Sequence, residues 1–548
     1  MTADDQREWS LAAVQDVLAA TVPDREMLVC GDMRRTFGEV AARTRSLAAF
    51  LGSRGIGIRE ERAGLERWEC GQDPVALLLY NCAEYIEAML GAYRARAVPF
   101  NVNQHYRPAE IGALFEDVGV RAVVYHRSLG PVVAEVLAGR DVVLIDVDDG
   151  SGSAPLPGST SFDDAVQTPV LQPLPTPSPD DLYMVCTGGT TGRPKAVLWR
   201  QADVYVSAMG GTEGATAESI AQAATAYQGG PWYAVPPLMH AAAQWTAYGG
   251  LHTGAPALLH DDSRSFDPRE ILELAARERI TLMSIVGDAY AGPLVEELRQ
   301  HPYDLSSLER LGTGGAATGD QHKEALLELV PHLLIVDGYG ASETGGMAYG
   351  ARTAAHRGEG FSPVFGATVI SADRSRFVEP GDDEVGWTAR RGRVPLGYLG
   401  DREKTEATFP VIAGERVAIP GDRGQLLADG SIRMLGRDSL VVNTGGEKVF
   451  VEEVEAVLRQ HPDVADALVV GRPSSRFGQE VVAVVAPRPG AVLDPLELRE
   501  FVAADIARFK APRAVVVCDA VRRHANGKAD YGWASEMAQD AVEATGGS

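Results

Sequence analysis

Thr187-Gly188-Gly189-Thr190-Thr191-Gly192-Arg193-Pro194-Lys195 follows directly on the apolar run Leu182–Cys186, LYMVC. A buried strand that opens into three glycines can fold its backbone back and present N–H groups to anionic oxygens. The threonine hydroxyls add donors and Lys195 adds positive charge. By its chemistry the segment is a phosphate cradle. Its spacing is not GxxxxGK[ST], so a P-loop NTPase is not supported. The bland alternative is a flexible Gly/Thr surface loop, and the rest of the chain decides between the two.

Short apolar runs (VALLLY, RAVVYH, VVLI) alternate with amphipathic stretches such as AEYIEAMLGAYRARA from Val75 to about Ile145. ILELAARER then ITLMSIVG, and KEALLELV then HLLIVDGYG, repeat the unit to about residue 340. Helix followed by buried strand predicts an α/β fold with mostly parallel strands. A Pro/Ser/Gly-rich surface connection spans Gly150 to Pro179. After about Gly360 short strands and turns (GDDEVGWTA, RGQLLADGSIRML) predict a β-rich subdomain. From about Arg437 helix, two strands, helix and strand (VEEVEAVLRQHPDV, ADALVVGRP, EVVAVVAPRP, DPLELREFVAADIARFK, AVVVCDAV) predict a small α+β domain.

The 548 residues, 45% hydrophobic and 23% charged, are enough for several domains and a large core, which excludes disorder, collagen and a small disulfide scaffold. A formal charge of −24 repels nucleic acid and anionic lipid. The five cysteines, Cys30, Cys70, Cys82, Cys186 and Cys518, form no CxxC pair and read as buried thiols in a reducing compartment. MTADDQREWS lacks the basic start and apolar run of a signal peptide, and no long uncharged apolar stretch occurs, so a cytoplasmic protein without integral membrane association is expected.

The glycine-rich segment closely resembles the phosphate-binding loop of the AMP-forming adenylating superfamily: acyl- and aryl-CoA synthetases, adenylation domains and luciferases. Four further segments follow in the family's order. Gly338-Tyr339-Gly340-Ala341-Ser342-Glu343-Thr344 matches Y-G-x-[ST]-E, Pro420-Gly421-Asp422 the G-D motif, Gly436-Arg437-Asp438-Ser439 the hinge, and Asn526-Gly527-Lys528 the C-terminal lysine motif. The resemblance covers nearly the whole chain. It implies an N-terminal adenylate-forming domain over 1–436, a hinge at 437–439 and a mobile C-terminal domain over 440–548 that rotates between two half-reactions.

The resemblance also assigns roles, and each suits its side chain. Thr187, Gly188, Gly189, Thr190, Thr191, Gly192 and Lys195 would hold the pyrophosphate of ATP. Glu343 is the expected magnesium ligand, since a hard cation that keeps waters takes one or two carboxylates plus phosphate oxygens. Tyr339 offers a flat face to adenine, with Gly340 and Ser342 beside it and Gly314, Gly315 and Ala316 on the base's other side. Asp422 accepts the ribose hydroxyls and Arg437 donates to the same sugar. Lys528 is the adenylation residue, its ammonium bridging carboxylate and α-phosphate as the bond forms; a lysine near a chain end is ordinarily a solvated one.

His240, in Pro236-Pro237-Leu238-Met239-His240, resembles the family histidine beside the substrate carboxylate and thiol tunnel. Ala241–Trp245 are expected to continue as a helix, with Gly287-Asp288-Ala289 on a nearby strand end. Trp245, Tyr248 and Tyr290 read first as core, and Gly249 and Gly250 do not constrain acyl length. Three departures stand out: Ala196 replaces the usual glycine after Lys195, which a β backbone tolerates; Ser439 stands where the hinge carries Asp or Lys, leaving Asp438 or Ser439 as pivot; and Asn443–Lys448 departs from the V-S-G-x-[RK] form. With LWRQ after the loop, this last departure resembles an actinobacterial branch activating fatty acids or sterol side chains.

The expected reaction joins a small carboxylate to CoA as co-substrate at the cost of ATP. Alternatives are carrier-protein loading and activation of nitrite to diazotise an aromatic amine; a non-catalytic homologue is disfavoured by the presence of Lys195, Glu343, Asp422, Arg437 and Lys528. A homodimer is compatible with this reading.

Overall fold

Strands Pro74–Leu78, Val98–Asn101, Ala122–His126, Val143–Val147 and Thr160–Ser161 all pair in parallel. The first, second and third are buried along their whole length, as strands covered by helices on both faces must be. The computed structural model describes residues 8–188, 194–357, 361–364, 366–444, 447–474, 478–524 and 527–545. A second, larger sheet has a parallel centre, from Leu334–Ala341 through Arg310–Gly314, Leu282–Ile285, Trp232–Ala234 and Ala257–Leu259 to Glu26–Cys30. Helices Phe37–Ser53, Ala83–Arg94 and Ala241–His252 fill the main core between the sheets. The first is started by a capping box in which Thr36 and Glu39 satisfy each other's backbone N–H groups.

The glycine-rich stretch joins a hairpin, Leu182–Gly188 against Pro194–Arg200, with Thr187 opposite Lys195 and Gly188 opposite Pro194. Its two faces are both buried. Tyr183, Val185, Val197 and Trp199 enter one core, while Leu182, Met184, Cys186, Ala196 and Leu198 enter another. At about 1.5–3 kcal/mol for each large side chain fully buried, that packing makes the hairpin a rigid mount for its tip. Ala196 lies in the strand, so the departure from glycine costs no strain. Residues 189–193, which include Gly189, Thr190, Thr191 and Gly192, lie outside the described residues.

Strand Gly397–Tyr398 adds to the hairpin edge, with Tyr398 opposite Val197. Residues Ala367–Arg437 carry the β-rich subdomain, a six-stranded antiparallel sheet. The C-terminal part has its own sheet and core, built on the long pair Val464–Ser474 and Gly478–Pro487 with helix Val451–Leu458 packed against it. This is the mixed α/β architecture with a separate β/α C-terminal domain that the sequence predicted. No helix among the described residues is long and apolar enough to cross a membrane.

At the junction, strand Ile432–Arg437 runs into a short 3-10 turn, Asp438–Leu440. Arg423 donates to Asp438 at 2.7 Å, and the Asp438 N–H donates to the Gly421 carbonyl at 3.0 Å. Gly436 has φ +105°, and a Cβ there would lie 2.0 Å from the Glu452 carboxylate. The positive φ favours glycine at this position, and the Glu452 carboxylate occupies the space where a side chain would stand.

Candidate active site

Two charged groups stand beside the end of the hairpin, Lys195 and Glu343. The Lys195 ammonium lies 2.5 Å from Oδ2 of Asp401, and Lys195 holds that carboxyl below the ordinary aspartate range. Glu343 accepts a hydrogen bond from the Tyr398 hydroxyl at 2.7 Å through Oε1. The turn carrying Glu343 is pinned from beneath. Buried Arg390 donates to the carbonyls of Thr344, Gly346 and Ser207, and Trp199 donates to the Ser342 carbonyl at 2.9 Å. Among the described residues no three His, Cys, Asp or Glu side chains gather into a metal cage. Glu343 fits magnesium in the other manner, as a lone carboxylate for an ion that keeps waters.

A second group is polar and regular. The Tyr339 hydroxyl donates to Asp422 Oδ2 at 2.5 Å and lies 3.0 Å from Thr388 Oγ1. Burial, then Asp422, push the Tyr339 phenol well above its usual value, so it is neutral. Arg437 Nε lies 3.3 Å from Asp422 Oδ1. The tyrosine expected to face the base and the aspartate expected to take the ribose are thus joined by a hydrogen bond that their separation of 83 residues gave no means of seeing. Gly340 has no room for a side chain, because a Cβ would lie 2.2 Å from the Gly345 carbonyl oxygen. Strand Arg310–Gly314 runs beside Leu334–Ala341, with Gly314 opposite Gly338, and Gly315 and Ala316 follow it directly.

Lys528 comes to the same site from the C-terminal domain. Gly527 packs against Ala289 and Val286 of the N-terminal domain, with a Cβ position 3.2 Å from that of Ala289. The Lys528 ammonium is lowered from its ordinary value by loss of water and then by Arg437, while Glu343 and Asp422 oppose the shift. The residue nonetheless keeps an exposed surface.

His240 stands directly before helix Ala241–His252 without a side-chain capping bond, and its Nε2 is buried without a hydrogen-bond partner. Burial first, then Lys528 and His105, depress its pKa to about 4, so the ring is neutral at pH 7. A buried polar atom left unpaired in the free protein is a ready contact for a ligand. From His240 the helix keeps Ala242 exposed and Trp245 and Thr246 half-buried, while Tyr248 on its other face, and Tyr290, are core residues as expected. Trp232 packs on Gly250. One expectation is corrected: Gly287-Asp288-Ala289 opens helix Gly287–Gln300 and is not a strand end, because strand Leu282–Ile285 stops short and Gly287 turns the chain at φ +59°.

Residues 16–386 match the model of the AMP-binding enzyme family, and residues 453–528 match that of the AMP-binding enzyme C-terminal domain. The chain belongs to the AMP-binding enzyme family. This AMP-binding enzyme is 43% identical over 545 residues to the medium-chain acyl-CoA ligase Mig of Mycobacterium avium, covering 98% of this chain and 99% of that one. It is 35% identical to a 3-oxocholest-4-en-26-oate–CoA ligase of Rhodococcus rhodochrous, over 94% and 93% of the two chains. In fold it is similar to ATP-bound MatB from Rhodopseudomonas palustris, with TM-score 0.80, 22% identity and coverage of 97% and 99%.

Sequence reasoning missed Tyr398, Asp401, Thr388 and Arg390. The first two lie in GYLGDREKT, whose only local signal is an aspartate placed to cap the helix that follows.

Proposed function

We propose that this chain is an ATP-dependent acid–CoA ligase that works in two half-reactions. A carboxylate oxygen attacks the α-phosphorus of ATP, and the bond to the bridging oxygen breaks to release pyrophosphate and leave an acyl-adenylate. The CoA thiol, losing its proton, then attacks the acyl carbon and AMP leaves. The observation that carries the reading is that Gly527 of the C-terminal domain meets Ala289 and Val286 of the N-terminal domain, which brings its neighbour Lys528 within the influence of Glu343, Asp422 and His240. Lys195, Arg437 and Lys528 supply cations for phosphate and carboxylate oxygens, while Glu343 and Asp422 beside them supply oxygens for a metal ion and a ribose.

In this reading Asp422 and Arg437 hold the ribose, Tyr339 the base, and Thr187, Gly188 and Lys195 the departing pyrophosphate. Glu343 would hold magnesium, which screens the phosphate charges when bound. Lys528 stabilises charge as the carboxylate and the α-phosphate meet, and neutral His240 hydrogen-bonds the substrate carboxylate without adding charge. The C-terminal domain, from about residue 440, turns on Asp438 or Ser439 to admit the thiol. The substrate class is a medium- or long-chain or sterol side-chain carboxylate, supported by the names of the relatives and by the small open face at Ala242 and Thr246. Those names favour CoA over a carrier protein or nitrite. We also propose a cytoplasmic setting, where ATP and CoA are available.

The test supplies ATP, magnesium and a panel of carboxylic acids, with nitrite plus an aromatic amine as the contrasting arm. Pyrophosphate release is followed by assay and the product by mass spectrometry. Pyrophosphate release with aliphatic or sterol acids, and a CoA thioester as product, is the expected result. Release only with nitrite and amine contradicts it.

A further inference from the structure

One short segment touches both charged groups at the phosphate end. Tyr398 donates to Glu343 at 2.7 Å. Three residues later Asp401 divides its two oxygens: Oδ1 caps helix Arg402–Thr408 by accepting from the Lys404 N–H at 2.9 Å, and Oδ2 pairs with the Lys195 ammonium at 2.5 Å. The Lys404 ammonium lies 4.4 Å from the centre of the Tyr398 ring. Thr405 locks the segment by accepting from the Tyr398 N–H at 2.9 Å.

The helix cap keeps Asp401 in place whatever Lys195 does, because one oxygen satisfies the cap and the other is left for the lysine. The side chains of Lys195 and Asp401 are 29% and 31% exposed, so water reaches the pair and its strength is modest. A polyanion carrying several charges competes for the same ammonium with a clear advantage.

We propose that Asp401 is a positioning residue that stands in for phosphate. It holds Lys195 at the hairpin tip in the free enzyme and yields it to the polyphosphate of ATP, or to pyrophosphate in the reverse direction. This rests on the reading of Lys195 as a phosphate ligand. The lysine is ordered before the ligand arrives, and the returning carboxylate competes with pyrophosphate and speeds its release. Removing the carboxylate charge therefore tightens pyrophosphate binding. A carboxylate that stayed with Lys195 as a permanent support would give the opposite sign on removal.

The experiment is calorimetric titration of inorganic pyrophosphate, without magnesium, into the full-length parent, Asp401→Asn, Asp401→Ser and Lys195→Met. Asn and Ser both keep a capping oxygen while removing the charge. Both Asp401 variants are expected to bind pyrophosphate about fivefold tighter, on the scale of a partly exposed ion pair, and Lys195→Met to bind it more weakly. A damaged fold loosens binding, so tightening is a result that structural disturbance does not mimic. Unchanged or weaker binding in the Asp401 variants, with a loss in Lys195→Met, overturns the stand-in role and leaves Lys195 as a phosphate ligand. Unchanged binding in Lys195→Met overturns both readings.

Discussion

Lys195 stands at the end of a hairpin buried on both faces and meets a carboxylate of its own domain at 2.5 Å, whereas Lys528 is brought to the same cleft by the C-terminal domain and lies among Glu343, Asp422 and Arg437. The first charge is fixed by the scaffold and neutralised locally. The second depends on how two domains meet, and it is held in surroundings that disfavour its charged form. A group that is always present contributes to binding the phosphates. A group delivered across a domain boundary contributes when it arrives, which suits a role in one half-reaction. The two lysines should therefore fail differently when removed.

The largest effect is expected from Lys528→Ala. Pyrophosphate exchange should fall by about 10²–10³, the range for losing one donor that stabilises developing charge, while pyrophosphate binding by titration stays near the parent value. If binding falls as far as exchange, the distinction between the two lysines breaks. Glu343→Gln comes next. It keeps the shape of the side chain and removes a charged contact of about 1.5–3 kcal/mol, so adenylation should slow by about thirtyfold and half-saturation with magnesium should move upward. An unchanged magnesium titration would remove Glu343 from the metal site.

Tyr339→Phe sharpens the contrast at the other end of the cleft. It deletes the hydroxyl that donates to Asp422 at 2.5 Å and leaves the ring. The KM for ATP should rise by about tenfold, as for a hydrogen bond to a charged acceptor, with kcat little changed. A fall in kcat with KM unchanged would mean that the bond acts in the transition state alone.

The strand before the glycine-rich stretch, the separate C-terminal domain and the helix–strand rhythm were legible because they are local. Leu182–Cys186 alternates between two buried faces, and the apolar run LYMVC declares a strand. The α+β character of the last hundred residues was legible for the same reason. The contacts that arm the site were not. Asp401 is 206 residues from Lys195, and Tyr398 is 55 from Glu343. Nothing within GYLGDREKT shows that it joins the hairpin edge at Val197. The start of helix Gly287–Gln300 was misread as a strand end because a continuous apolar run, ITLMSIVG, conceals the single left-handed residue that stops the strand. The closeness of Gly436 to Glu452 was equally hidden, since it follows from the meeting of two domains.

The smallest effect concerns the buried, neutral histidines. His252, whose Nδ1 lies 2.7 Å from the Met209 carbonyl oxygen, is depressed by burial from 6.5 to about 4. Between these values the unfolded chain binds a proton that the folded chain does not, so this contribution to stability is full above pH 6.5 and declines as pH falls. The slope is about 1.4 kcal/mol per pH unit for one full proton. In urea unfolding between pH 7 and 5, His252→Gln should lose less stability than the parent. A parallel decline would mean that the ring already carries its proton in the fold.

The most direct test gives Lys528→Ala a synthetic acyl-adenylate together with CoA, and compares thioester formation with the variant's own pyrophosphate exchange. If Lys528 serves the adenylation orientation alone, thioester forms at a rate near that of the parent while exchange is lost. Loss of both half-reactions to the same extent would contradict the account, because the lysine would then be needed in both orientations or for the fold itself.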